Sequence, residues 1–191
     1  MRTCLVGSEM CIRDSVYNRS LLASIIAANG AEAAEAWAGA LVANMARRPQ
    51  GNDRAQAKGI FEGQCDVAIM NHYYFGKMLH GDKPEQREWA DAIRLVFTNQ
   101  DGRGNHVNIS GGGVAKHSPN RDNAVKFLEF LTGPVAQQLY GEVNFEYPVN
   151  PSVEPGGVLT RWGTFKPDNL AIERLAELAP KAQMIIDRTG W

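Results

Sequence analysis

The chain has 191 residues, 44% of them hydrophobic and 21% charged, with a formal net charge of -1. This balance excludes a disordered chain, and without a basic excess nothing points to nucleic acid as a partner. The longest apolar stretches, such as residues 21–28, fall well short of the roughly 20 residues that span a bilayer.

Residues 1–15 carry neither a helical nor a strand period, and they lack the basic start, apolar stretch and cleavage site of a signal peptide. The string Ser8-Glu9-Met10-Cys11-Ile12-Arg13-Asp14-Ser15 resembles a translated sequencing adapter. Residues 1–15 are therefore expected to be a non-native or disordered tail, with native sequence starting near Val16. A helix is predicted over 18–29, with Leu21, Leu22, Ile25 and Ile26 on one face, Asn18 or Ser20 as cap and Gly30 as terminator. A second runs over 31–47, carrying Trp37 and Leu41, and Pro49 stops it. Asn52 or Asp53 can cap a third helix reaching Gln64.

The apolar run 65–70 reads as a buried strand, and a short helix is predicted from Tyr73. The three cysteines, Cys4, Cys11 and Cys65, lack metal-ligand spacing, and Cys65, inside that strand, is expected as a buried free thiol. After a helix over 84–92, residues 93–97 form a predicted strand that ends in the turn-rich loop 99–104. Short strands are expected near Val107 and Val114. Asn120 then caps an amphipathic helix with Ala124, Val125, Phe127, Leu128 and Leu131 on its apolar side. A further helix leads to Tyr140, residues 143–149 look extended, and helices fill 167–188. Alternating helix and strand predicts an α/β fold with a largely parallel sheet.

In open α/β sheets, ligands bind beyond the carboxyl ends of strands, and two adjacent phenols, Tyr73 and Tyr74, stand there behind Asn71 and His72. A deprotonated phenol is a hard donor suited to a small trivalent cation, whose binding offsets the cost of ionising a group with a free pKa of about 10. Adjacent strand side chains point to opposite faces, so both phenols reach one ion only where the backbone has left the strand. The same pair also fits ordinary packing, with one ring in the core and the other exposed. His72, His80, His106 and His117 share no metal spacing. Ser110-Gly111-Gly112-Gly113 lacks the lysine and hydroxyl of a P-loop, and Gly102-Arg103-Gly104 lacks the third glycine of a dinucleotide fingerprint. With no Gly-x-Ser-x-Gly elbow and no Ser, His and Asp set, no enzyme is read.

Several segments, in order and spacing, resemble the periplasmic ferric-iron-binding proteins of bacterial ABC importers. They include Tyr17-Asn18-Arg19-Ser20, Arg48-Pro49-Gln50-Gly51-Asn52-Asp53, Asn71-His72-Tyr73-Tyr74, Asn99-Gln100-Asp101-Gly102-Arg103-Gly104, Glu146-Tyr147-Pro148-Val149 and Trp162-Gly163. The resemblance covers nearly everything after Ser15. It implies the type 2 periplasmic-binding-protein fold, an N-terminally truncated fragment with one nearly complete lobe, and iron(III) held in an interlobe cleft. Residues 16–105 and 151–191 would form the second lobe, and 106–150 a remnant of the first. The strands near Val107 and Val114 would then lose neighbours, leaving an apolar helix face uncovered. Tyr73, Tyr74 and Tyr17 would ligate the metal, and Asn71 and Asn52 would bind a small synergistic anion such as phosphate or carbonate. The implied partner is an inner-membrane ABC permease, served by a periplasmic monomer that releases iron when its lobes open. Two other readings stay open: a binding protein for another small anion or organic solute, and an enzyme with a tyrosine general acid.

Overall fold

A computed structural model describes residues 9–13 and 15–191, which fall into two compact units. The first contains the described residues up to Asn108 together with Phe165–Trp191, and the second is Ile109–Thr164.

The core of the first unit is helical. Helix α1 (Val16–Asn29) buries Leu22, Ala23 and Ile26, and α2 (Ala31–Ala43) buries Ala34, Ala38 and Leu41. Both pack on the long C-terminal helix, which spans Ile172–Thr189 and contributes Ala182, Ile185 and Ile186. Burial of apolar side chains drives this association, at about 1.5–3 kcal/mol for each large one. Trp191 closes the cluster edge-on against Trp37, their ring centroids 5.7 Å apart. Neither Asn18 nor Ser20 caps α1. Ser15 does, its hydroxyl accepting from the Asn18 amide, while Asn18 itself is buried and donates its side-chain amide to the Arg13 carbonyl.

The segment expected as a tail enters this core where it is described. Met10 and Cys11 form strand β1, and Met10, Cys11 and Ile12 are buried. Strand β2 (Val67–Ala68) runs parallel to β1, pairing Val67 with Met10 and Ala68 with Cys11. On its other side Met10 bonds Asn44 and Ala46, so the chain leaves α2 at Ala43 instead of continuing to Arg47. Cys65 is not a free thiol, because it forms a disulfide with Cys11. Gly59 lies against that bridge, where an added Cβ would sit 3.0 Å from the Cys11 sulfur and 3.2 Å from that of Cys65. Cys4 lies outside the described residues.

Strand β2 is much shorter than the predicted run 65–70, since a ladder extends only as far as its partner. Among the described residues this pair is the whole sheet, so helices dominate. Residues 93–97 and the stretches near Val107 and Val114 form no strand; Phe97 instead stacks on Phe165 at 4.4 Å. Helices α3 (Asp53–Phe61), α4 (His72–Leu79) and α5 (Pro84–Asp91) enclose a smaller cluster of Ala57, Met78 and Ala90.

The chain leaves and re-enters the first unit along two segments that bond to each other. Asn105 donates to the Lys166 carbonyl, and Asp168 donates to the Asn105 carbonyl, both at 2.8 Å. Gly104, at φ 102°, is required there, because a Cβ would fall 2.5 Å from the Pro167 carbonyl oxygen. Arg103 fastens the crossing by pairing with Asp168 and donating to the Ser24 carbonyl.

In the second unit, α6 (Arg121–Thr132) buries none of its residues; Phe127 of its expected apolar side is exposed, as is Phe130. Helix α7 (Pro134–Leu139) buries Gln137, whose side chain donates to the Leu131 carbonyl and accepts from the Val149 amide. Residues 143–149 are not extended from their start. A π-helical turn, Tyr140–Asn144, ends at Phe145 in the left-handed region, and α8 (Val158–Arg161) buries Leu159 nearby. Contacts such as Phe145 with Trp162 keep residues 151–164 in this unit. The C-terminal helix, Ile172–Thr189, is α9.

Two outcomes follow from these contacts. Reducing the Cys11–Cys65 bridge, or Cys65→Ser, is expected to lower stability by about 2–4 kcal/mol in urea denaturation, because the bridge closes a long loop. His106 is held down to about 4 by burial, with Arg103 acting in the same direction and Asp168 and Asn108 opposing. The unfolded chain therefore takes up the proton first, and stability falls as pH drops from 6.5 towards 4, by at most about 3 kcal/mol. Denaturation of His106→Gln across that window is expected to remove this part of the acid sensitivity.

Candidate functional site

The turn between β2 and α4 builds the site. After Ala68 the backbone leaves its ladder, Asn71 takes the N-cap position at φ -75° and ψ 130°, and Tyr73 and Tyr74 fall in the first turn of α4. The two phenols therefore share one side, with ring centroids 4.5 Å apart and planes inclined by 32°. Tyr17, in the first turn of α1, reaches the same point: the Tyr73 hydroxyl interacts with those of Tyr74 and Tyr17. Three predicted residues thus converge within one compact unit. All three are half-buried.

Burial pushes the Tyr73 phenol well above the ordinary tyrosine range, and its interactions with Tyr74 and Tyr17 reinforce the shift. Without a cation the Tyr73 phenol stays protonated at neutral pH. Each ring also has its own positive side chain. The Arg13 guanidinium lies 5.4 Å from the Tyr17 centroid, Arg54 4.8 Å from Tyr74, and the Lys77 ammonium 5.1 Å from Tyr73. Such contacts are worth about 0.5–2 kcal/mol each, and they place three positive charges where phenolate charge would develop.

Asn52 is exposed and caps α3, its side-chain oxygen accepting from the Ala55 amide at 3.1 Å. Asn71 makes no cap bond of its own, because its backbone amide and side-chain amide both donate to Asp53 Oδ1, at 2.7 and 3.1 Å. His72 meets the Tyr73 ring edge-on at 6.2 Å, and His106 belongs to the Arg103 crossing. Among the described residues, no group of three His, Cys, Asp or Glu side chains is placed to hold a metal ion. The donor set on offer is phenolic.

The sequence reading missed Arg13, Arg54, Lys77 and the second role of Asp53. One of these carried a signal: Lys77 follows Tyr73 by four residues within α4, the spacing of helical neighbours. The burial and partners of Asp53 depend on tertiary contacts.

A family described as bacterial extracellular solute-binding protein matches residues 18–138. Similar proteins include Iron uptake protein A1 of Synechocystis sp., 42% identical over 175 residues, covering 92% of this chain and 49% of that relative. The Major ferric iron-binding protein of Neisseria meningitidis serogroup B is 32% identical over 106 residues, covering 56% of this chain and 31% of its own length. Among solved structures, the ferric binding protein from Campylobacter jejuni superposes with a TM-score of 0.91 at 38% identity, over 95% of this chain and 58% of that one. A Trichodesmium protein in complex with iron and citrate gives 0.90 at 44%, over 96% and 58%. The chain spans about half the length of Iron uptake proteins A1 and A2 of Synechocystis sp., 49% and 52% respectively.

Ultraviolet titration of the metal-free chain is expected to show Tyr73 still protonated when an ordinary tyrosine, at about 10, is half ionised. Tyr73→Phe should diminish that late component, leaving the part due to Tyr147, whose phenol burial also pushes up.

Proposed function

We propose that this chain, which belongs to the bacterial extracellular solute-binding protein family and has the α/β type 2 periplasmic-binding-protein fold, binds ferric iron through the phenolate oxygens of Tyr73, Tyr74 and Tyr17. The observation that carries this reading is the meeting of three phenols at one point, with a cation on each ring. An iron(III) ion would displace the phenolic protons, and Arg13, Arg54 and Lys77 would lower the cost of the negative charge that replaces them. The first compact unit is assigned to the second lobe and Ile109–Thr164 to the remnant of the first, with further ligands supplied by the rest of the parent protein.

A small anion such as phosphate or carbonate would complete the metal shell. Its donors would be the Asn71 amide hydrogen that Asp53 does not take and the Asn52 side-chain nitrogen. A Trichodesmium protein of the same fold was solved with iron and citrate, which supports an oxygen-rich anionic co-ligand. The chain would work as a periplasmic monomer and hand iron to an inner-membrane ABC permease by reversible binding, with no catalytic residue.

Titration with ferric nitrilotriacetate should produce the visible absorption of coordinated phenolate. Tyr73→Phe or Tyr74→Phe should each weaken binding by roughly tenfold or more and diminish the band. Affinity should fall as pH is lowered, since each phenol must lose its proton to bind. A band and affinity intact in both variants would sink the iron reading.

A further inference from the structure

Beyond the three ligating phenols, we infer that Asp53 is the positioning residue that holds them together, an inference that rests on the ferric reading above. Its side chain is 1% exposed, a setting in which a carboxylate is costly unless charged and polar partners compensate. It has three such contacts. Oδ1 accepts from the backbone amide of Asn71 at 2.7 Å and from its side-chain amide at 3.1 Å. Oδ2 makes an ion contact with Arg13 Nη1 at 2.9 Å.

The partners are what give Asp53 its role. Asn71 is the N-cap of α4 and lies two residues before Tyr73, so fixing its backbone amide fixes where the chain leaves β2 and where both rings start. Arg13 lies over the Tyr17 ring. One buried carboxylate therefore ties down the two segments, far apart in sequence, that bring the phenols to one point. The next residue, Arg54, lies over Tyr74 and bonds Gln86 at 3.2 Å, so α3 adjoins the cluster through consecutive side chains. At the first position of α3, Asp53 also meets the positive end of that helix, which favours its charge.

Asp53 touches no metal in this arrangement and acts through Asn71 and Arg13. Residues that orient metal ligands typically change affinity by about 10–100-fold when lost. The experiment is titration of the full 191-residue chain with ferric nitrilotriacetate, following affinity and the position of the phenolate band, with folding checked by circular dichroism. Asp53→Ala is expected to weaken binding by about 10–100-fold and to shift and broaden the band. Asp53→Asn keeps an acceptor for Asn71 but loses the charge facing Arg13, so it should fall between wild type and Asp53→Ala. Hydrogen exchange at the Asn71 amide should quicken in the same order. Should Asp53→Ala not fold, Asp53→Asn decides. A folded variant of either kind with wild-type affinity and band overturns the inference. A wild-type chain without any band sinks the iron reading, and the positioning role goes with it.

Discussion

The site depends on where β2 stops. Had the strand continued through the tyrosines, Tyr73 and Tyr74 would point to opposite faces and could not meet one ion. The ladder ends at Ala68, the chain turns at Asn71, and α4 begins with both phenols on the side that Tyr17 approaches. Packing of α1 against α9 and α2 brings Tyr17 there, so the hydrophobic core places the third phenol and the strand end places the other two.

The electrostatics of the cluster suit capture and release. Tyr73, half-buried beside Tyr74 and Tyr17, resists ionisation. Arg13, Arg54 and Lys77 add positive charge over the three rings. In the ferric reading proposed above, Tyr73 would give up its proton only to a strongly polarising cation.

Much of the first unit was legible in the sequence, since Leu22, Ile26 and Leu41 recur at helical spacing and the core buries them. Asn52 was readable as a cap, and Tyr73 and Tyr74 as a strand-end pair. What escaped depends on contacts distant in sequence. Met10 and Cys11 have no period because two residues suffice for the short strand they form, and the bond from Cys11 to Cys65 is invisible to local spacing. Residues 93–97 are strand-like in composition, yet a strand exists only beside a partner, and none pairs with them among the described residues. The apolar side of α6 is real in sequence, but the second unit offers it little cover: none of it is fully buried, and Phe127 stays exposed.

The hydrogen bonds of Asn105 with Lys166 and Asp168 make Ile109–Thr164 an insertion whose two ends are already joined. The entropy of closing that excursion is met by backbone hydrogen bonds belonging to the first unit, whatever the inserted residues do. To the first unit, residues 109–164 are thermodynamically one long surface loop.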